Sequence, residues 1–320
     1  MNRPMIELRR VHRFFGDTRA VDDVSFEIPA GEVFGYIGPN GAGKTTSMRI
    51  LATLDVPTYG DAFVDGFSVV NDPDRVRRRL GFMPDYYGTY ANVNCTEYLD
   101  FFARAYGLIG RERAKSLKYV MDFTGLDGLA EKPIRGLSKG MKQRLCLGRA
   151  MIHDPSVLIL DEPAAGLDPR ARIELRRMIR SLASDGKAIL ISSHILTELD
   201  EMCDRVGILE QGTLLATGSV ADMQDGMRAT PQVGDPSMTE IHARVLNTGA
   251  SLGHWLADRD GISHVVVDGE IVRFTYAGDR QAEAALLREM VLAEFPVVEF
   301  AARTKSLEDV FLHVTQGVVQ

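Results

Sequence analysis

The most explicit chemistry in the sequence lies in Gly38-Pro39-Asn40-Gly41-Ala42-Gly43-Lys44-Thr45-Thr46. The apolar run Val33-Phe34-Gly35-Tyr36-Ile37 precedes it, and the helix-like Ser47-Met48-Arg49-Ile50-Leu51 follows. Glycines lack a β-carbon, so consecutive backbone N–H groups can turn inward and wrap a polyphosphate. The positive end of the next helix faces the same anion. Strand, G-x-x-x-x-G-K-[ST] and helix in succession are the context of a phosphate-binding loop. Lys44 is then placed to reach the β- and γ-phosphates of a nucleoside triphosphate, and the Thr45 hydroxyl to bind Mg²⁺. The bland reading, a Gly-rich turn that binds nothing, leaves both flanking elements unexplained.

A second group of reactive side chains stands at the ends of two apolar runs. Val157-Leu158-Ile159-Leu160 leads into Asp161-Glu162-Pro163, and Ala188-Ile189-Leu190-Ile191-Ser192-Ser193 leads into His194. Short unbroken apolar runs fit strands buried on both faces of a parallel sheet. Alternation along a strand points Asp161 and Glu162 differently, so they can take separate roles. Asp161 is expected to hold Mg²⁺, directly or through water, and Glu162 to activate the attacking water. Two idle carboxylates on a buried strand would be costly. A lone histidine is usually structural, but this one follows another strand end. Ser138, in Leu137-Ser138-Lys139-Gly140-Met141, reads as the N-cap of a helix. A capped N-terminus beside a glycine also suits a second approach to the γ-phosphate. Phe15 offers a face for stacking on a purine base, although spacing alone favours a core Phe at least as much.

These groups need elements to position them. Residues 5–12 and 24–28 alternate apolar and polar, as half-buried strands do, and 62–66 reads as another short strand. An antiparallel β-rich segment therefore precedes the phosphate loop. A helix starting at Asp72 carries Arg75, Arg77, Arg78 and Arg79, read as a solvated face. Residues 96–150 are mostly helical. There Tyr98, Phe101, Phe102, Ala105 and Tyr106 form a stripe at helical spacing, expected to be core with part of it open for docking. Further helices are expected over 114–123, 142–152 and 171–182, and strands over 206–209 and 213–216.

With 320 residues the chain suggests about two domains. An apolar share of 45% and a charged share of 25% suit a soluble globular protein. No apolar run approaches the roughly 18 residues of a membrane span, and the first residues lack the apolar core of a signal peptide. Cys95, Cys146 and Cys203 form neither a metal-ligand nor a disulfide pattern and suit a reducing cytoplasm. A net charge of −7 argues against a nucleic-acid partner.

Taken in order, Phe15-Gly16, Gly38 to Thr46, Leu137 to Met141, Leu160 to Pro163, Gly166-Leu167-Asp168 and His194 resemble an ATP-binding-cassette ATPase. They match its A-loop, Walker A, signature, Walker B, D-loop and switch histidine over about the first 220 residues. The single cassette with a C-terminal extension looks like the ATPase subunits of bacterial exporters of drugs, polysaccharides or lipids. The resemblance implies ATP and Mg²⁺, and a head-to-tail pair of chains, with a second copy as partner. ATP is then sandwiched between Lys44 of one copy and Ser138 and Gly140 of the other. It also implies a separate integral membrane permease, met by the loop at Met83-Pro84-Asp85 and the helices behind it. Location would be cytoplasmic, peripheral on the inner face of the cell membrane. The family usually has Gln where Asp85 stands; Asp is shorter, anionic and without an amide donor, yet still able to bind Mg²⁺. It usually has Gly where Lys139 stands, and Lys139 adds positive charge near phosphate. Two alternatives are a soluble cassette ATPase acting on ribosomes or DNA, and an ATP-sensing module with weak hydrolysis. The first lacks the paired cassettes, long coiled coils or basic extensions it would need.

The expected fold is α/β: a P-loop NTPase core with an antiparallel β subdomain and a helical subdomain, plus a small α+β domain. The nucleotide-binding domain covers 1–224, with its helical part at about 86–152. A linker covers 225–239, containing Gly226, Pro231, Gly234 and Pro236. Residues 240–320 form an accessory or dimerisation domain. Its pattern is strand 241–246, helix 250–257, two strands joined at Asp268-Gly269, helix 280–295 and strand 296–301. This β-α-β-β-α-β order suggests a ferredoxin-like fold. A last helix is expected from Ser306, with Asp309 in a capping-box relation. His242, His254, His264 and His313 are too scattered for a metal site.

Overall fold

The computed structural model describes residues 3–86, 88, 93–223, 238–302 and 311. The chain divides after Val220 into two units, and each is taken by itself.

In the first unit, β1 (Ile6–Phe15) and β2 (Thr18–Ile28) form a hairpin, longer than the alternation alone predicts. With β4 (Tyr59–Val64) and β5 (Phe67–Ser68) they make an antiparallel sheet of order β2-β1-β4-β5. The second sheet has the order β10-β9-β3-β8-β7-β6. Its strands β3 (Val33–Ile37), β6 (Leu80–Met83), β7 (Val157–Asp161), β8 (Ala188–Ser193) and β9 (Arg205–Glu210) run parallel. Only β10 (Thr213–Ser219), paired with β9, is antiparallel. Every residue of β3, β7 and β8 is buried, as their unbroken apolar runs require. One core joins the two sheets, from Ile6, Val24 and Ile28 through Phe34 and Tyr36 to Ile159 and Leu190.

Helix α1 (Lys44–Leu51) leaves β3, and α2 (Pro73–Arg79) precedes β6. The arginines of α2 are solvated, and Arg75 pairs with Asp72, Arg77 with Asp74 and Arg79 with Asp65. The helical part contains α3 (Cys95–Ala105), α4 (Gly110–Phe123) and α5 (Lys139–Met151). Asn94 and Glu97 close a reciprocal capping box at the start of α3. The aromatic stripe expected on α3 is only partly core. Tyr98 is buried, but Phe101 is 56% and Tyr106 41% exposed. The buried face runs through Cys95, Tyr98, Leu99 and Ala103, and the stripe is rotated off it toward the surface. Helices α6 (Pro169–Ser184) and α7 (Leu196–Met202) complete the unit.

The second unit contains β11 (Met238–Val245), α8 (Gly249–Ala257), β12 (Ile262–Asp268), β13 (Ile271–Ala277), α9 (Arg280–Leu292) and β14 (Val297–Ala302). Its four strands are all antiparallel in the order β12-β13-β11-β14. That is the split β-α-β arrangement of the ferredoxin-like fold. Ile241, Ala243, Phe274, Leu252 and Leu286 form a core of their own. The expected linker at 225–239 falls almost wholly outside the described residues, and so does the helix from Ser306.

Candidate active site

Sheet order brings the reactive strand ends together. β8 lies between β3 and β7, with Ile37 paired to Ser193 and Asp161 to Ser192. The carboxyl ends of three neighbouring parallel strands therefore open into one crevice, where open α/β sheets bind ligands.

At the end of β3 the loop Gly38 to Gly43 turns into α1. Gly43 is the N-cap at φ 100, and Gly41 has φ 84, both in the left-handed region. A β-carbon at Gly43 would lie 2.2 Å from the Ala20 carbonyl oxygen, and one at Gly38 would lie 2.3 Å from that of Leu209. These two glycines are thus required by close backbone approach as well as by the turn. Pro39 accepts a 3.2 Å hydrogen bond from the Ala42 N–H, which closes the loop over Asn40 and Gly41. Lys44 is almost wholly buried and folds back: its Nζ donates to the carbonyls of Gly38 at 2.6 Å and Pro39 at 3.2 Å. Burial pushes its amine below the usual value, while the charges of Glu162 and Asp161 pull it back up. A phosphate arriving in the loop supplies that ammonium with a stronger acceptor than two carbonyls.

The Thr45 hydroxyl donates to Asp161 Oδ2 at 2.9 Å, and Thr46 follows it in the first turn of α1. Asp161, the last residue of β7, is 1% exposed. Its Oδ1 accepts from the Ser192 hydroxyl at 2.5 Å, and the same hydroxyl accepts the Glu162 N–H at 2.9 Å. Ser192 is the functional residue that sequence reading missed. Its signal was a pair of hydroxyls, Ser192 and Ser193, closing a buried strand that is apolar up to that point. The two acids also diverge for a different reason than strand alternation. The strand ends at Asp161, and Glu162 has φ 50, a backbone turn rather than another pleat. That turn aims Glu162 at His194: Oε2 lies 2.8 Å from Nδ1, with the glutamate mostly buried and the imidazole half-exposed.

Phe15 ends β1 and is 49% exposed, so it is no core residue. The Arg13 guanidinium lies 4.3 Å from its ring centroid. Phe15 pairs with Thr18 near the hairpin turn, and Ala20, two residues further on, approaches Gly43 of the phosphate loop. Ser138 caps α5, its hydroxyl accepting the Met141 N–H at 3.2 Å, and is itself exposed; Gly140 follows in the first turn. Asp85 is exposed just beyond β6, the neighbour of β7. Among the described residues no cluster of three His, Cys, Asp or Glu side chains forms a ready metal cage. The structure thus assembles Lys44, Thr45, Asp161, Glu162 and His194 in one crevice and leaves Ser138 and Gly140 at the start of α5.

Sheet and crevice together define one class, the P-loop nucleoside triphosphatases. The family model for ABC transporters matches residues 21–165. "Nod factor export ATP-binding protein I" of Ralstonia nicotianae is 33% identical over 313 residues, which is 98% of this chain and 94% of that protein. "Probable multidrug ABC transporter ATP-binding protein YbhF" of Escherichia coli is 35% identical over 243 residues, 76% of this chain and 42% of that protein. A solved structure described as an ATP-binding subunit of an ABC transporter superposes with a TM-score of 0.64 at 30% identity, covering 70% of this chain and 93% of that one. The chain belongs to the ABC transporter family, among its ATP-binding proteins, and it is an ATPase.

Proposed function

We propose that this chain is the ATP-hydrolysing subunit of an exporter, acting on a separate membrane permease through ATP-driven closure of two copies. The observation that carries the reading is the Glu162–His194 pair, 2.8 Å apart beside the Lys44 loop. It supplies a base, and a partner that orients it, where the γ-phosphate would sit. Glu162 accepts the proton of the attacking water, and His194 holds the carboxylate in line. Lys44 leaves the Gly38 and Pro39 carbonyls for the β- and γ-phosphates, with the loop N–H groups of 38–46 around them. Phe15 stacks on the base. Ser138 and Gly140 of the second copy close over the phosphates, the signature helix offering its N-terminus.

Thr45 and Asp161 place two hard oxygen donors side by side, which suits Mg²⁺, with Asp85 as a third donor from the neighbouring strand. Bound there, Mg²⁺ neutralises charge developing on the phosphate oxygens. The relatives' names support export: one is a Nod factor export ATP-binding protein and one a probable multidrug ABC transporter ATP-binding protein. Among the described residues no helix is long and apolar enough to cross a membrane. The permease is assigned to a separate chain on the strength of the relatives named as ATP-binding proteins of transporters. The C-terminal unit is assigned to stabilising the pair of copies. Relatives named as transporter proteins favour this over a soluble ATPase acting on ribosomes or DNA.

The test is the Glu162→Gln variant. It should bind ATP, lose turnover by about 10²- to 10⁴-fold, as removal of a general base does, and accumulate as a two-copy species in size-exclusion chromatography. A variant that stays monomeric in saturating ATP contradicts the two-copy reading. A wild-type turnover no higher than that of the variant favours the sensor instead.

A further inference from the structure

The first turns of α5 grip the segment that leaves β7. Gln143 Nε2 donates to the Pro163 carbonyl at 2.7 Å in a buried contact. At Gly140 a β-carbon would meet that of Ala171 at 3.0 Å, so the start of α5 abuts the start of α6. Lys139 reaches in the same direction. Its Nζ sits so close over Gly166 that a β-carbon there would lie 2.3 Å away, with Cε at 3.4 Å and Cδ at 3.8 Å. Gly166 has φ 66, the left-handed bend of the turn between Glu162 and α6. That turn is continuous with the catalytic strand end: Ala165 N–H donates to the Glu162 carbonyl and Leu167 N–H to that of Ala164, both at 3.2 Å. Helix α5 is therefore linked to the segment after Glu162 by the Gln143–Pro163 hydrogen bond and by the side chain of Lys139, the neighbour of Ser138, over the Gly166 turn.

We propose that Lys139 is a positioning residue that transmits the state of the signature helix to Glu162 of the same chain. This rests on the reading above that Ser138 engages nucleotide held by the second copy. Phosphate bound at Ser138 fixes the first turn of α5. The lysine stem then presses the Gly166 turn into place, and the turn sets the backbone of Glu162, which already stands at a strained φ of 50. A glycine at position 139 has no side chain to span that gap. Each copy thus becomes competent to deprotonate water when it has sensed its partner's ATP, and the two sites fire together.

The experiment is steady-state ATP hydrolysis by the full chain and its Lys139→Ala and Lys139→Arg variants, with thermal unfolding alongside. Alanine favours helix, so K139A keeps α5. For K139A we expect an unchanged melting temperature, KM within about twofold, kcat down about tenfold and a Hill coefficient falling toward one, the signature of a lost interaction that does not bind substrate. K139R, with a stem of similar reach, should recover most of kcat and of the cooperativity. A kcat at the wild-type value, a loss that K139R does not reverse, or a rise in KM alone overturns the proposal; the last would mean that the amine touches nucleotide directly. Failure of the underlying ATPase reading is separate, since it would appear in the wild-type chain as turnover equal to that of Glu162→Gln.

Discussion

The Thr45 hydroxyl donates a 2.9 Å hydrogen bond to Asp161, a residue 116 positions further along the chain. The contact joins the phosphate loop after β3 to the carboxylate at the end of β7, with β8 lying between the two strands. Ser192, at the end of β8, fills the intervening space by bonding both Asp161 and the Glu162 N–H. Three strand ends are thus tied to one another through Asp161 and the Glu162 backbone.

Replacing Ser192 by Ala should therefore hurt twice. It leaves Asp161 short of a partner and strands the Glu162 N–H, a loss of about 1–3 kcal/mol for a group left unsatisfied in a buried site. Chemical denaturation should show a lower midpoint, and kcat should fall more than ATP affinity. A variant with wild-type kcat would mean that the Glu162 backbone needs no such anchor.

His194 touches Glu162 at 2.8 Å through Nδ1. Its replacement by Ala should release the carboxylate and lower kcat by about a hundredfold, the scale of a small misplacement of a reacting group, with ATP binding kept. Rapid-quench measurement of a single turnover separates this from an effect on product release.

Gly43→Ala should abolish nucleotide binding. The new methyl group would overlap the Ala20 carbonyl oxygen, which lies 2.2 Å from the ideal β-carbon position, and alanine is strained at φ 100. Equilibrium dialysis with ATP checks the binding. Gly41→Ala is the informative control: it shares the positive φ, but nothing lies within 4 Å of its β-carbon position, so it should retain weak binding.

His153 predicts a pH dependence away from the site. Its ring stacks on Tyr106 with centroids 3.6 Å apart, and its Nε2 donates to the Leu80 carbonyl at 3.1 Å. Burial pushes its pKa down from 6.5 to about 4, against the raising effects of that carbonyl and of Asp154. Between those values the unfolded chain binds the proton and the folded chain does not, so stability rises with pH there. The contribution is complete above pH 6.5 and is lost as pH falls toward 4, about 3 kcal/mol across the window. Urea unfolding at pH 7.5 and 5 should show the loss in the wild-type chain and a smaller one in His153→Gln.

Much of the fold was legible because the residues concerned act locally. The glycines of the phosphate loop, the apolar runs of β7 and β8 and the Gly-containing hairpin between β12 and β13 each declare a backbone geometry within a few residues. The aromatic stripe of α3 was misleading for the same reason: helical spacing shows that residues share a face, while the neighbouring α4 and α5 decide which face is covered. Phe15 shows the converse. Its type allowed both core and stacking surface, and only the position of β1 at the hairpin tip left it half-exposed.

The sequence by itself determined which side chains are candidates for holding a triphosphate and activating water, since residue type and spacing fix a loop and its donors. Which of them meet was decided by the tertiary structure alone. Strand order places β8 between β3 and β7, so Ser192 bridges Asp161 and Glu162 and His194 faces Glu162, and α5 packs so that Lys139 lies over Gly166. These pairings join residues tens of positions apart, and no local pattern encodes the order in which strands assemble in a sheet.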